Sequence, residues 1–137
     1  LIHAVDSKRL LREIDKQGKA LGREIPVLLQ FHIADETSKY GLDKASAEPL
    51  LSDLKDDPVT HAKIAGVMGM ATYTDNQTQV KAEFSSLAKS FAELHNGTFS
   101  GDDGFREISM GMSGDYPLAL EAGSTLVRVG SLLFGKR

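Results

Sequence analysis

Two short stretches near the end of the chain combine glycine and serine in a way that suits a phosphate group. Ser113 and Gly114 follow an apolar run and precede a helical pattern. Gly130 and Ser131 do the same after the next apolar run, with the permanent charge of Arg128 just before them. Serine hydroxyls and free backbone N–H groups bind phosphate oxygens, and glycine permits close approach. The pattern predicts a phosphate-bearing ligand at the ends of the last two apolar runs.

The same residues also fit a structural interpretation without a ligand. Gly111 and Gly114 would then be turn residues, and Ser113 would cap a helix. Arg128 would pair with a carboxylate. The pattern alone leaves both interpretations open.

Other residues that could do chemistry are scattered. The four histidines, His3, His32, His61 and His95, lack the spacing of metal ligands, so we predict ordinary surface or partly buried side chains and no metal site. Lys39 lies in a loop on the expected ligand side, where a lysine is usually solvated. No acid pair or catalytic triad is evident, and we predict no catalytic residue in this chain.

Composition limits the possible functions. The chain has 137 residues, of which 41% are hydrophobic and 26% charged, as is ordinary for a globular protein. A net charge of -3 argues against binding nucleic acid or anionic membranes, and no apolar run approaches the roughly 20 residues that span a bilayer. The absence of cysteine excludes disulfides and is compatible with a reducing cytoplasm, where we expect the protein.

Apolar runs and helical patterns alternate along the chain. Consecutive apolar residues, as in Ile25–Ile33, are typical of parallel strands that are buried on both faces. We predict strands at Leu1–Val5, Ile25–Ile33, Ile64–Met70, Glu107–Met112 and Thr125–Val129, with helices between them and a last helical turn at Gly130–Phe134.

Polar residues and proline indicate where the helices begin. Ser7 is expected to cap the first helix, and Thr74 or Asp75 the third, which has the strongest helical pattern. Pro49 in the second helix is tolerable only in a first turn. Asp115 is expected to cap a short fourth helix.

Alternating strands and helices imply parallel strands joined by right-handed helical crossovers. Such a chain forms either an open doubly wound sheet or part of a (βα)8 barrel, and periodicity does not choose between them. A closed barrel needs eight strands and typically ~250 residues. In both folds ligands bind at the carboxyl ends of the strands, where Ser113, Arg128 and Ser131 are expected.

Six stretches carry a family resemblance in their order and spacing. Ser109–Asp115 contains Ser-Met-Gly-Met-Ser, and Gly123–Gly135 contains Val-Arg-Val-Gly-Ser and ends in Phe-Gly. The other four are Ile2–Ser7, Val27–Gln30, Ser38–Leu42 and Gly66–Ala71. Together they resemble the YggS-like pyridoxal 5'-phosphate (PLP) homeostasis family, which is related to the N-terminal barrel of alanine racemase.

The resemblance implies a fold type III PLP barrel of eight βα units. Residues 1–137 would be the C-terminal part of this single domain and supply strands four to eight. The family's Schiff-base lysine follows the first strand, so it is expected in an N-terminal segment that this sequence lacks. By position, Arg128 would lie near the pyridine ring and the phosphate. The phosphate itself would be held by Ser113, Ser131 and the backbone of Gly114 and Gly130.

The resemblance also implies a function. A guanidinium near the pyridine nitrogen disfavours protonation of that nitrogen and weakens the ring as an electron sink. The expected role is to bind and deliver PLP in vitamin B6 and amino-acid homeostasis, without robust catalysis. A weak amino-acid racemase and a noncovalent phosphate-binding fragment are the alternatives. The expected partners are PLP and PLP-dependent apoenzymes, and neither nucleic acid nor membrane.

Three positions depart from the family pattern. His32 stands where asparagine is common, Thr72 where proline often precedes Tyr73, and Pro49 in a normally regular helix. A barrel without its first three strands is open, so we expect part of its core face to be exposed to water. We therefore expect an N-terminal segment or a second copy of the chain to complete it.

Overall fold

Five parallel strands and five helices alternate in the computed structural model, which describes residues 1–35 and 40–135 and leaves out the side chain of Lys44. The predicted alternation is confirmed. The predictions made for Ser38 and Lys39 lie outside the described residues. The strands are β1 (Ile2–Val5), β2 (Ile25–Phe31), β3 (Ala62–Gly69), β4 (Glu107–Met112) and β5 (Leu126–Arg128). The helices are α1 (Lys8–Ala20), α2 (Lys44–Asp56), α3 (Gln77–Asn96), α4 (Tyr116–Glu121) and α5 (Ser131–Phe134).

The strands lie in the sheet in the order in which they follow one another in the chain. Each pairs in parallel with the next, from β1 to β5. A doubly wound sheet reverses its strand order at a switch point, whereas a barrel adds each strand on the same side. The topology is therefore that of part of a (βα) barrel, which confirms the α/β barrel class. The numbering of these strands as the fourth to the eighth remains a prediction.

The centre of the sheet is buried on both faces. Val27 and Leu29 of β2 are fully buried in the core between the sheet and the helices. Leu28 lies between them and points to the opposite side, as alternate residues of a strand do. We call this side the inner face; Leu28, Met68 and Ser109 on it are 0%, 4% and 0% exposed. The expectation of an exposed core face is therefore wrong for the centre of the sheet.

Exposed apolar side chains are instead found at the two edges of the sheet. Leu1 and Ile2 at β1 are 52% and 38% exposed, and Leu133 and Phe134 just after β5 are 70% and 88% exposed. Among the described residues no further strand pairs with β1 or β5 on its outer side. In the same part of the chain, no helix has both the length and the apolar character needed to cross a membrane.

Some element boundaries differ from the prediction. The cap of α3 is Asn76, whose side chain accepts a hydrogen bond from the Gln79 N–H at 3.2 Å, and not Thr74 or Asp75. All three are good capping residues in a row, so capping preference does not distinguish them. Four strands differ by one or two residues at their ends: β1 begins at residue 2, β2 ends at residue 31, β3 covers 62–69 and β5 covers 126–128.

Pro49 lies in the second turn of α2, so the prediction that it belongs to a first turn is wrong. The helix begins after Asp43, whose carboxylate accepts a hydrogen bond from the Ser46 N–H at 2.8 Å. Pro49 lacks the N–H that would bond to the Ala45 carbonyl. Because Pro49 is on the exposed side of the helix, water can supply the missing donor.

Candidate functional site

A cavity of about 840 Å³ opens at the carboxyl ends of β3, β4 and β5. It is lined by the segments that follow these strands, Thr72–Asp75, Met112–Asp115 and Arg128–Ser131, and by Val80 of α3. The structure thus brings together all five residues that were predicted to bind a phosphate-bearing ligand, namely Ser113, Gly114, Arg128, Gly130 and Ser131. Their role in binding remains a prediction.

The Ser113 hydroxyl lies where two backbone N–H groups converge. Its Oγ accepts hydrogen bonds from the N–H groups of Gly130 at 3.2 Å and Leu132 at 3.4 Å. Such groups at the beginning of a helix have no acceptor within the helix itself. A phosphate oxygen is an acceptor of the same kind, so it could take the place of the hydroxyl oxygen at these N–H groups. The hydroxyl could then donate its own hydrogen to the phosphate.

The turn that presents Ser113 is held by Asp115. The Asp115 carboxylate accepts a hydrogen bond from the Met112 N–H at 2.6 Å, and the Asp115 N–H donates to the Met112 carbonyl at 3.1 Å. Asp115 is the N-cap residue of α4, as predicted, but its side chain makes no hydrogen bond to the helix. The carboxylate stabilises the turn and so keeps Ser113 at the cavity.

Gly114 and Gly130 border open space. A Cβ atom added to either would meet no other atom within 4 Å. Neither glycine has a positive φ, and the φ of Gly130 is -122°. Neither local backbone conformation nor packing within the described residues therefore requires glycine at these positions. The open space lets a bulky anion approach the backbone closely, which fits the phosphate of PLP.

Arg128 is half-buried and donates hydrogen bonds to oxygens of the neighbouring strands. Its guanidinium lies 2.7 Å from the Ser109 Oγ, 3.3 Å from the Ser109 carbonyl oxygen and 3.4 Å from the Gly69 carbonyl oxygen. Burial lowers the pKa of Arg128, and the charge of Asp115 opposes this shift. An arginine pKa starts so high that the side chain remains charged at neutral pH. Since the three acceptors are neutral oxygens, they do not cancel that charge.

Ser109 and His3 belong to the same polar group, although neither was predicted to have a role. Ser109 is fully buried on β4, and its Oγ lies 3.4 Å from Nδ1 of His3 on β1. Burial lowers the pKa of His3, and the charge of Arg128 lowers it further. The sequence did contain one signal for this group: Ser109 lies within a strand that was predicted to be buried, and a buried hydroxyl needs a hydrogen-bond partner.

A buried carboxylate that was not predicted holds the rim of the cavity. Glu83 on α3 is 8% exposed and accepts hydrogen bonds from the N–H and the hydroxyl of Thr72, at 2.6 and 2.7 Å. The Thr72 hydroxyl in turn accepts one from the Asp35 N–H at 3.1 Å. Burial alone would raise the pKa of Glu83, but the hydrogen bonds from Thr72, Gln79 and the Asp35 backbone together outweigh it and the pKa is lowered. Glu83 thereby joins the loops that follow β2 and β3.

The other three histidines lie apart from this cavity. His32 follows β2 and lines a separate cavity of about 350 Å³ beside α2 and α3. The ring of His61 lies 2.8 Å from the Thr60 hydroxyl, just before β3 begins. His95 lies near the end of α3, with its ring 5.6 Å from that of Phe91. The histidines therefore do not form a common site.

Comparison with known proteins identifies the family. A family model described as the N-terminal domain of alanine racemase matches residues 1–137, which is the whole chain. The chain belongs to the alanine racemase N-terminal domain family. This membership agrees with the strand order described above.

Two relatives match this family member over nearly all of its length. The pyridoxal phosphate homeostasis protein of Helicobacter pylori is 33% identical over 134 residues, which are 98% of this chain and 56% of that protein. PipY of Synechococcus elongatus, solved with PLP bound, is 33% identical, with a TM-score of 0.80 and coverage of 98% of this chain and 60% of PipY. Its structure without PLP gives a TM-score of 0.84 at 34% identity, with the same coverage. These matches confirm the resemblance to PLP homeostasis proteins, of whose length the chain spans little more than half.

One departure from the pattern of the PLP homeostasis family is explained by the rim of the cavity. The resemblance implies proline at the position of Thr72, whereas both the N–H and the hydroxyl of Thr72 donate to Glu83. Proline has neither group, so it could make neither hydrogen bond. Thr72 and Glu83 therefore act as a pair in this member of the alanine racemase N-terminal domain family.

Proposed function

We propose that this chain is the PLP-binding part of a PLP homeostasis protein that binds and delivers the cofactor without robust catalysis. The observation that carries the proposal is the convergence of the Ser113 hydroxyl with the N–H groups of Gly130 and Leu132, beside the charged Arg128. Such donors suit a phosphate ester. The name of the Helicobacter pylori relative and the PLP bound to PipY support PLP as that ester.

Each residue at the cavity has a role in this proposal. Ser113 and Ser131, with the backbone of Gly114 and Gly130, would hold the phosphate. Arg128 would lie near the pyridine ring and the phosphate. When bound, PLP supplies a reactive aldehyde and an electron-withdrawing ring. Because Arg128 keeps its positive charge, it disfavours a protonated pyridine nitrogen and weakens the ring as an electron sink, which suits racemase-type or non-catalytic PLP.

A second part of the proposal concerns the whole protein. The chain covers 56% and 60% of the two relatives. From the family resemblance we assign residues 1–137 to the C-terminal part of a single barrel domain, as strands four to eight. The Schiff-base lysine would belong to an N-terminal segment. That segment, or a second copy of the chain, would complete the barrel. PLP-dependent apoenzymes in the cytoplasm would receive the cofactor.

Calorimetric titration with PLP, pyridoxal and inorganic phosphate tests the binding proposal. We expect PLP and phosphate to bind, and pyridoxal, which lacks the phosphate, to bind far more weakly. Ser113→Ala should weaken PLP binding about tenfold because it removes a phosphate hydrogen bond. Ser85→Ala, on an exposed part of α3, should leave the affinity unchanged. Pyridoxal binding as tight as that of PLP would contradict the proposal.

The same preparation separates the proposed carrier from the two alternatives. Sustained interconversion of L-alanine and D-alanine in the presence of PLP would favour a weak racemase. Binding of inorganic phosphate without binding of PLP would favour a phosphate-binding fragment. The carrier predicts PLP binding with neither of these results.

A further inference from the structure

A line of polar side chains crosses the inner face of the sheet beside the cavity. Arg128 on β5 donates to the Ser109 Oγ on β4 at 2.7 Å, and that oxygen lies 3.4 Å from Nδ1 of His3 on β1. We call these three residues the relay. Since β1 and β5 are the edge strands, the relay connects opposite edges of the described sheet across its inner face.

The chemistry of arginine determines the direction of the hydrogen bonds in the relay. A guanidinium can only donate, so the Ser109 oxygen accepts from Arg128 and its own hydrogen is available for another acceptor. Nδ1 of His3 is within reach of that hydrogen. This nitrogen accepts only when the imidazole is neutral and carries its hydrogen on Nε2. The relay therefore requires a neutral His3 that carries its hydrogen on Nε2.

The surroundings of His3 favour the neutral form of its ring. Burial lowers the pKa of His3, and the positive charge of Arg128 lowers it further. The inner-face residues Leu28 of β2 and Met68 of β3 carry no charge. A protonated His3 could no longer accept the serine hydrogen and would repel Arg128.

We propose that Ser109 and His3 are positioning residues that hold Arg128 toward the ring of bound PLP. This inference rests on the proposed function and deepens it. Two carbonyl oxygens, those of Ser109 and Gly69, accept from the same guanidinium at 3.3 and 3.4 Å, and the Ser109 hydroxyl at 2.7 Å is the shortest of its contacts. Without the hydroxyl, Arg128 would stay charged but lose its tightest anchor. The relay should therefore affect recognition of the ring and leave the phosphate contacts at Ser113 intact.

Calorimetry with two probes tests the relay. Pyridoxine 5'-phosphate has the ring and the phosphate but no aldehyde, and inorganic phosphate has no ring. We expect Ser109→Ala to weaken binding of pyridoxine 5'-phosphate roughly tenfold and that of phosphate less than about twofold, as for one lost charge-assisted hydrogen bond. Ser85→Ala is the matched control on the exposed part of α3.

The outcomes of this titration distinguish two kinds of failure. If the wild-type chain binds both probes, the relay alone would be overturned by either of two results for Ser109→Ala. One is an equal loss of affinity for both probes, and the other is no loss for either. A wild-type chain that binds neither probe would overturn the proposed function. In that case the ring-positioning role falls with it.

A measurement without ligand tests the hydrogen bonds themselves. Proton–nitrogen NMR spectra of the histidine rings report the tautomer and the pKa of each ring. We expect His3 to carry its hydrogen on Nε2 and to titrate below the ordinary histidine pKa of about 6.5. The tautomer preference should weaken in Ser109→Ala. A hydrogen on Nδ1 of His3 in the wild-type chain would refute the relay whatever the ligand does.

Two substitutions of His3 form a matched pair. Glutamine keeps an acceptor oxygen for Ser109 and cannot be protonated near neutral pH, whereas leucine has no acceptor. We expect His3→Leu to behave like Ser109→Ala. As the pH falls, the wild-type chain should lose its preference for pyridoxine 5'-phosphate over phosphate, and His3→Gln should keep it. Both chains bind the same probes, so the titration of the probes themselves affects both equally. If the two chains lost the preference in parallel as the pH falls, the role of His3 would be contradicted.

Discussion

At the scale of single residues, Gly130 offers a direct test of the phosphate position. The φ of Gly130 is negative at -122° and an added Cβ meets no atom within 4 Å, so Gly130→Ala should change the free energy of unfolding by less than about 1 kcal/mol. The added methyl group would project into the space through which phosphate approaches. We expect calorimetry to give inorganic phosphate an affinity at least about tenfold lower. Unchanged affinity in this variant would locate the phosphate elsewhere.

Gly111 provides the contrasting variant for this test. Its φ is +93°, and a Cβ there would lie 2.6 Å from the Cβ of Ala119 on α4. Gly111→Ala should therefore destabilise the fold by roughly 1–3 kcal/mol in urea denaturation, through strain and overpacking. Gly111 thus serves the packing of α4 on β4, whereas we propose that Gly130 serves the ligand.

Glu83 gives a second prediction at this scale. Both oxygens of its carboxylate accept hydrogen bonds from Thr72, and glutamine can offer one oxygen only. Glu83→Gln should lower the free energy of unfolding by roughly 1–3 kcal/mol, since it leaves a buried donor without a partner. Glu93→Gln, at an exposed position of the same helix, is the control and should have little effect. Equal stability of both variants would show that the Thr72 contacts contribute little.

Local motifs could be predicted from the sequence, and contacts between distant segments could not. Ser113 and Ser131 lie within one short stretch, each after a strand, so a shared site could be inferred without coordinates. The contact between His3 and Ser109 joins positions 106 apart in the sequence. Such a pair depends on how the sheet curves, which no local pattern encodes.

At the scale of elements, Asp15 joins α1 to the beginning of β3. Its Oδ1 accepts hydrogen bonds from the N–H groups of Thr60, His61 and Ala62 at 2.8, 2.6 and 2.9 Å. Burial alone would raise the pKa of Asp15, but the three backbone hydrogen bonds outweigh it and the pKa is lowered. One carboxylate thus satisfies the backbone of the segment that leads into β3.

This linkage predicts a pH dependence of stability. A folded-state pKa below the unfolded value, which is about 3.9, means that Asp15 stabilises the fold above that pH and loses the contribution as the pH falls through the folded pKa. Asp15→Asn keeps an acceptor oxygen but no charge, so its free energy of unfolding should be lower at pH 7 and should converge with that of the wild type in acid. Urea denaturation of both proteins between pH 7 and 3 measures the difference. A constant difference across this range would contradict the prediction.

The existence of the elements followed from periodicity, but some of their ends did not. The buried strands and the strong pattern of α3 were predicted because apolar residues repeat with the period of each structure. Pro49 was misplaced because the penalty for proline depends on whether the orphaned carbonyl can reach water, which the sequence does not report. The exposure of Pro49 to water and the choice of Asn76 as the cap of α3 both depend on how the helices pack in the folded chain.

At the scale of the whole molecule, strand order separates two folds that the sequence pattern left open. Alternating strands and helices fit both a doubly wound sheet and a barrel, and the family resemblance pointed to the barrel. The sequential order from β1 to β5 agrees with it. In a closed barrel the first and last strands also have neighbours, whereas the described sheet ends at two edges flanked by exposed apolar residues.

These edges predict that the chain associates. Unpaired strand edges with exposed leucine and phenylalanine are sites where another chain can pair. We expect the average mass in sedimentation velocity to rise above that of the monomer as concentration increases. Leu133→Ser, which removes a 70% exposed leucine just after β5, should reduce association. Leu21→Ser, which removes a 68% exposed leucine at the end of α1, should not.

The partner that closes the barrel can be supplied in the same experiment. If residues 1–137 are the C-terminal part of the barrel, the N-terminal part of a relative such as the Helicobacter pylori protein should compete with self-association and give a complex of one copy of each. If the added segment binds at the two edges of the sheet, Leu133→Ser should weaken this complex as well, because the segment and a second copy of the chain would bind to the same surface. If the chain stays monomeric at every concentration and does not bind the added segment, the described sheet is stable with open edges. The proposal that another segment completes the barrel would then be wrong.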